Sequence, residues 1–144
     1  MTINYKKLHP YAKQPFRATI NSAGADLFAL LDCDTVIKAE SQSVIPTGIA
    51  VEIPEGYGGF IFPRSSVSTK HGVSLVNSVG LIDSDYRGEL LISLINHSKK
   101  DYTVKSGERI AQLVIIPIEI AEFVQKSELS DTIRGEGGFG STGL

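Results

Sequence analysis

Apolar residues in this chain gather in short runs rich in β-branched and aromatic side chains, each closed by turn-forming residues. Residues 49–53, 59–62, 90–95 and 113–116 are such runs, and their composition suits strands, which pack branched side chains on a pleated surface. Pro54-Glu55-Gly56, Lys99-Lys100-Asp101 and Ser106-Gly107 punctuate them. No stretch beyond one or two turns repeats its apolar residues every 3.6 positions, the period by which a helix buries one face. Many short strands with regular turns predict an all-β fold, a sandwich or barrel, with a jelly-roll β-barrel as the best single choice. One short helix is expected from about residue 66 to 71, capped by Ser65 and ended by Gly72 in the left-handed conformation. Pro63-Arg64-Ser65-Ser66 then stands at a strand-to-helix junction, where free backbone N–H groups can hold an anion.

The last eleven residues break the pattern: five are glycine, and only Phe139 and Leu144 carry sizeable apolar surface. Such a segment cannot bury enough area to fix itself on the body. The expected division is therefore a jelly-roll domain over residues 1–133 and a mobile, glycine-rich C-terminal arm over 134–144, with no internal repeat and no second domain.

Composition narrows function more than fold. A chain of 144 residues makes one domain with a real core, and 42% hydrophobic with 21% charged residues is ordinary for a globular protein. The net charge of −2 argues against a nucleic-acid partner, whose backbone calls for a basic surface, but leaves room for a single nucleotide. The one cysteine, Cys33, cannot close an intrachain disulfide and is expected as a small buried or partly buried side chain. No apolar stretch approaches a membrane span, and residues 1–8 lack the apolar run of a signal peptide, so a cytoplasmic protein without membrane attachment is expected. His9, His71 and His97 are scattered, and with one cysteine they make no zinc constellation.

Five segments carry candidate chemistry, each with a plain alternative. Asp83-Ser84-Asp85-Tyr86-Arg87-Gly88-Glu89, after Asn77-Ser78-Val79-Gly80-Leu81-Ile82, is either a charged hairpin exit or an aspartate that orients a water beside a tyrosine that stacks on a sugar. Arg64-Ser65 is a solvated surface pair or a phosphate contact. Residues 107–112, with Gln112, make an ordinary strand after a turn or present a ligand amide. Ala23-Gly24-Ala25-Asp26-Leu27 can simply start a strand. Residues 134–143 read poorly as a linker, because one arginine, one phenylalanine and a Ser-Thr pair are spaced among glycines. Glycines let backbone amides approach phosphates, the arginine can fork onto them, and the phenylalanine can cover a base. No Gly-Lys-Ser/Thr follows, so this is not a Walker loop.

Taken in order, residues 23–27, 63–66, 77–89, 107–112 and 134–143 resemble the five motifs of the trimeric dUTPase family. The resemblance runs from about residue 23 to 143, departing at Ser66, where glycine is commoner, and at Glu108, where aspartate is commoner. It implies hydrolysis of dUTP to dUMP and pyrophosphate by water attack on the α-phosphorus, limiting uracil incorporation into DNA and supplying dUMP for dTTP synthesis. It also implies a jelly-roll homotrimer whose active sites are shared between subunits. Asp83 would orient and activate the water. Tyr86 would stack beneath the deoxyribose and exclude a 2′-hydroxyl. Asn77 and the backbone of Gly80, Leu81, Ile82 and Asp83 would read uracil, while Arg64, Ser65, Ser66 and Gln112 would hold the α- and β-phosphates. Mg2+ would be held mainly by the triphosphate, with Asp26 reaching it through water. In the arm, Arg134 would pair with phosphate and Phe139 would cover the uracil. Gly140, Ser141 and Thr142 would complete the substrate contacts, the last two at the γ-phosphate. The competing implications are a dCTP deaminase of the same fold, whose hairpin motif typically carries a catalytic glutamate, and a non-catalytic regulatory trimer. Asp83, Tyr86 and the intact arm speak against both.

Overall fold

A computed structural model describes residues 1–138. Its strands are β1 (Asn4–Lys7), β2 (Ala25–Phe28), β3 (Thr35–Ile37), β4 (Gln42–Ile45), β5 (Ile49–Glu52), β6 (Tyr57–Pro63), β7 (Val73–Leu75), β8 (Gly80–Ile82), β9 (Ile92–Asn96), β10 (Tyr102–Val104) and β11 (Arg109–Pro117), with the helix α1 (Ser65–His71) between β6 and β7. Every strand pairing is antiparallel. The pairings are nested: β2 with β11, β3 with β10 and β4 with β9. A chain folded back on itself as one long ribbon, then rolled, gives this order, which is the jelly roll expected from the sequence.

The four apolar runs all contribute to strands, with shifted ends. Leu90 lies outside β9, yet it is fully buried and its N–H donates to the Ile49 carbonyl at 2.8 Å. The helix starts one residue earlier than expected. Arg64, not Ser65, occupies the cap position, with extended backbone and no side-chain capping bond. The Val67 and Ser68 N–H groups both turn to the Arg64 carbonyl, so Ser65 is already inside the first turn. Gly72 does end the helix at φ 68°, its N–H on the Ser68 carbonyl. Cys33 is exposed rather than buried. It sits between Asp32 and Asp34 in the β2–β3 connection, and two flanking carboxylates keep that turn in water.

Leu27, Ile37, Ile45, Ile53, Ile92, Leu94 and Ile110 are fully buried between the sheets, each contributing about 1.5–3 kcal/mol of burial. Two polar side chains, Thr47 and Asn96, are buried as deeply. Asn96 Nδ2 donates to the carbonyls of Ile37 at 3.1 Å, Lys38 at 3.3 Å and Lys100 at 2.8 Å, while its Oδ1 accepts from the Ser98 N–H and hydroxyl. It ties β3 to the β9–β10 turn where no strand ladder runs. Beyond β11 the Ile118 N–H still reaches the Gly56 carbonyl at 2.9 Å. Among the described residues that is the last hydrogen bond from the C-terminal segment to the body. Residues 119–131 then run without helix or strand, leaving Ile120 85%, Phe123 98% and Leu129 88% exposed. Among the described residues no helix is long and apolar enough to cross a membrane.

Asn96→Leu fits the volume but strands buried carbonyls, and should cost about 2–4 kcal/mol of stability. The check is a lowered urea midpoint at unchanged m-value; a midpoint equal to wild type would mean that water replaces the amide.

Candidate active site

Two groups of site residues form, one at the Pro63 end of β6 and one along β8 and its two flanks. At the end where β6 runs into α1, a cleft of about 380 Å3 opens between the 18–24 loop and the residues Asp26, Arg64, Ser65, Ser66, Arg109 and Gln112. Its centre is Asp26, level with Gln112 across the β2–β11 ladder. One Asp26 oxygen accepts from Arg64 Nε at 2.8 Å and the other from Arg109 Nη1 at 3.1 Å. Arg64 Nη1 donates further to the Arg109 carbonyl at 3.1 Å and the Ser66 hydroxyl at 3.3 Å. The Gln112 amide donates to the Pro63 carbonyl at 3.0 Å and lies over Gly24, where a Cβ would stand 2.7 Å from its oxygen. The cleft is thus pre-organised, with two guanidiniums against one carboxylate. The first N–H groups of the helix, at Ser65 and Ser66, have no acceptor within it.

Arg109 was not among the residues singled out from sequence. Strict alternation would put residues 109 and 112 on opposite faces of a strand. The β2–β11 register shifts between Arg109 and Ala111, and this bulge leaves Ile110 and Ala111 both buried. Arg109 and Gln112 therefore face the same cleft.

The second group is the β7–β8 connection and its exit. Although consecutive, β7 and β8 belong to different sheets: β7 pairs with β9, and β8 pairs with β6. The hairpin is splayed. β8 is also the outer strand of its sheet, so one edge of Gly80, Leu81 and Ile82 keeps its backbone groups free of ladder bonds. Asn77 lies at the bend, followed by Ser78 at φ 59°, where the Val79 N–H closes on the Asn77 carbonyl. After β8 the chain turns, the Tyr86 N–H bonding the Asp83 carbonyl at 3.2 Å, and Arg87 Nη1 grips the carbonyls of Ser84 and Tyr86. The Asp83 carboxylate is exposed and has no hydrogen-bond partner among the described residues. Tyr86 is half-exposed, its hydroxyl on the Glu89 carbonyl at 3.0 Å.

The fold does not bring Asp83 to Arg64 within one chain. Ile82 is level with Gly59, so Asp83 leaves the sheet toward the Tyr57 end, while Arg64 leaves at the other. The five steps from Gly59 to Arg64 span roughly 16 Å of strand. Arg134 is exposed in a local turn, its Nε on the Gly137 carbonyl at 2.8 Å. Phe139, Gly140, Ser141 and Thr142 lie outside the described residues.

The dUTPase family profile matches residues 10–143. The chain belongs to the dUTPase family. Among curated relatives, the deoxyuridine 5′-triphosphate nucleotidohydrolase of Syntrophotalea carbinolica is 49% identical over 144 residues, covering 100% of this chain and 98% of that protein. That of Hydrogenobaculum sp. is 49% identical over 144 residues, covering 100% and 99%. Among solved structures, the dUTPase of Staphylococcus bacteriophage 80alpha with dUpNHpp superimposes with a TM-score of 0.91 at 34% identity, over 99% of each chain. A mutant dUTPase from phage phi11 of S. aureus, described with a structural Mg(II) ion, gives a TM-score of 0.82 at 30% identity, over 91% of this chain and 100% of that one.

The chain's departure from the dUTPase motifs at Glu108 has a structural use. One carboxylate oxygen takes the Tyr102 hydroxyl, and the other takes the Lys105 N–H at 2.9 Å, closing the turn before β11. Burial first, then this bond, pushes the Tyr102 hydroxyl above the ordinary phenol range. At Ser66 the hydroxyl accepts from Arg64, so the side chain that replaces glycine helps hold the guanidinium.

Charge and support separate by substitution in this cleft. Arg109→Gln, at the more exposed guanidinium, should weaken pyrophosphate binding about three- to tenfold with little change in stability. Asp26→Ala leaves two guanidiniums without their shared partner and should cost about 1–3 kcal/mol of stability. Calorimetric titration and thermal unfolding check both; equal stability losses for the two variants would show that Asp26 does not organise the cleft.

Proposed function

We propose that the protein hydrolyses dUTP to dUMP and pyrophosphate in composite sites of a homotrimer, with Mg2+ on the triphosphate. The observation that carries this is the splayed β7–β8 hairpin, with a free backbone edge and an unpartnered Asp83 at its exit, in a chain of the dUTPase family. Uracil offers an N3–H donor and an O4 acceptor, which suit alternating C=O and N–H groups on a strand edge, with Asn77 beside them. Cytosine carries a donor where uracil accepts and would leave a buried group unpaired, a costly mismatch. The thymine methyl group would have to fit between the splayed strands. Tyr86 packs beneath the deoxyribose, where a 2′-hydroxyl finds no room.

Asp83 holds the attacking water against the α-phosphorus and takes up its proton. A carboxylate is a weak base, so its work lies in positioning and charge. Charge developing on the leaving pyrophosphate meets Arg64, Arg109, the Gln112 amide and the N–H groups of Ser65 and Ser66. Among the described residues no three metal-ligating side chains gather, and both Asp26 oxygens are held by guanidiniums. This donor set fits an ion that the triphosphate itself coordinates, with Asp26 reached through water. When bound, Mg2+ supplies further neutralisation of the phosphates.

The water held by Asp83 and the groups on the α-phosphate must meet within about 3 Å, whereas Asp83 and Arg64 leave the sheet at positions roughly 16 Å apart along one β6. That separation supports Asp83 of one chain working with the phosphate cleft of a second. The exposed apolar side chains of residues 118–133 favour another copy of this chain as their cover. At up to about 3.3 Å per residue the segment can carry Arg134, and with it Phe139, Gly140, Ser141 and Thr142, to a distant site. Cys33, exposed and unpaired, suits a reducing compartment and supports a cytoplasmic protein.

Asp83→Asn should bind dUTP normally and lose roughly 10²–10⁴-fold in kcat; near-wild-type turnover in a pyrophosphate-release assay would move catalysis elsewhere. The shared site has its own test. Asp83→Asn and a truncation before Arg134 should each be nearly inactive alone. Co-expressed in equal amounts with random assembly, about one quarter of sites receive both an intact Asp83 and an intact arm. A mixture no more active than its components would sink the composite site and leave the hydrolase standing.

A further inference from the structure

Tyr86 is seated by residues that no catalytic role explains. Its ring lies against Gly88, where a Cβ would stand 2.3 Å from the tyrosine oxygen and 2.5 Å from Cζ. Its hydroxyl closes on the Glu89 carbonyl at 3.0 Å, so the place of the ring depends on the place of that peptide. The Glu89 side chain fixes it. One carboxylate oxygen accepts from the Gly48 N–H at 2.6 Å and the Thr47 N–H at 3.1 Å, both in the connection between β4 and β5. That connection is itself rooted in the core. Thr47 is 1% exposed; its hydroxyl donates to the Leu90 carbonyl at 2.8 Å and accepts from the Ile49 N–H at 3.2 Å. Gly48 has φ 67°, a conformation that L side chains rarely adopt, and a Cβ there would strike Leu30 and Ala12. A stiff path of hydrogen bonds thus runs from the barrel interior through Glu89 to the Tyr86 ring.

We infer that Glu89 is a positioning residue for sugar discrimination: its carboxylate, clamped by two backbone N–H groups, holds the peptide that seats Tyr86 and so sets the clearance at the 2′-carbon. This rests on the proposed packing of Tyr86 beneath the deoxyribose. Tyr86 is 42% exposed, and its hydroxyl has no other partner among the described residues, so a loosened residue 89 frees the ring to swing. A ring that swings admits a 2′-hydroxyl. A merely structural role predicts something different: stability and activity would fall while the preference between sugars stayed put.

The test is the ratio of kcat/KM for UTP to that for dUTP, measured on the full chain with Mg2+. Glu89→Ala and Tyr86→Phe should each raise this ratio about tenfold. Glu89→Gln, whose amide oxygen can still accept both N–H bonds, should stay near wild type. Should Glu89→Ala not fold, Glu89→Met keeps the length of the side chain without the carboxylate; failure of both to fold would assign Glu89 a purely structural role and overturn the inference. An unchanged ratio in a folded Glu89 variant, with a raised ratio in Tyr86→Ala, would refute the role of Glu89 and leave Tyr86 in place. An unchanged ratio in Tyr86→Ala would remove the sugar-packing role itself, and the inference with it.

Discussion

β11 hydrogen-bonds on both edges, to β2 and to β6, and this double pairing fixes where the groups around Asp26 stand. Asp26 rides on β2 opposite Gln112, while Pro63, at the end of β6, is level with Ala111. The helix that carries Ser65 and Ser66 starts from that end. A bulge at the start of β11 then turns Arg109 toward the same opening. Because both neighbouring strands are locked to one central strand, the Asp26 carboxylate can bridge two guanidiniums without either side chain searching for it. The conformational cost of holding two long arginines is met by folding, before any anion arrives.

The same pairing keeps Asp83 away from Arg64 within one chain. β8 lies on the far side of β6 from β11 and runs antiparallel to it, so the Asp83 exit and the Arg64 exit point to opposite ends. A free edge at β8 and apolar side chains in water along residues 118–133 are both liabilities for a lone barrel. In the proposed homotrimer both would become working surface. Closed symmetry with heterologous contacts is the arrangement that repeats such a pairing without leaving an open end.

Much of this was legible in the sequence, for reasons that particular residues make plain. The runs at residues 49–53, 59–62 and 113–116 were readable because β-branched and aromatic residues crowd between turn signals. β3, β7, β8 and β10 are three residues each, too short for alternation to register, and their pairing is set by distant partners. The helix end at Gly72 was visible as a glycine. Its start was not, because Arg64 takes the cap position through its bond to Asp26 rather than through a capping side chain. Arg109 was hidden by the bulge, which no local pattern announces. Glu89 was hidden by distance, since its partners Thr47 and Gly48 stand 42 and 41 residues away. The five motifs gave the order of the chemistry, whereas the geometry that joins them is a property of the folded barrel.

Charge in the cleft is only partly balanced. Two guanidiniums and one carboxylate leave the cleft about one positive charge in excess, far short of what a triphosphate carries. On the proposed reading, backbone N–H groups and Mg2+ make up part of the difference, and Arg134 would bring another cation. Arg134 meanwhile sits in a local turn, its Nε on the Gly137 carbonyl, and that bond would be exchanged for phosphate. On the proposed reading dUMP, with a single phosphate, would compensate that exchange less well than dUTP, so the charge that favours the substrate would also favour release of the product.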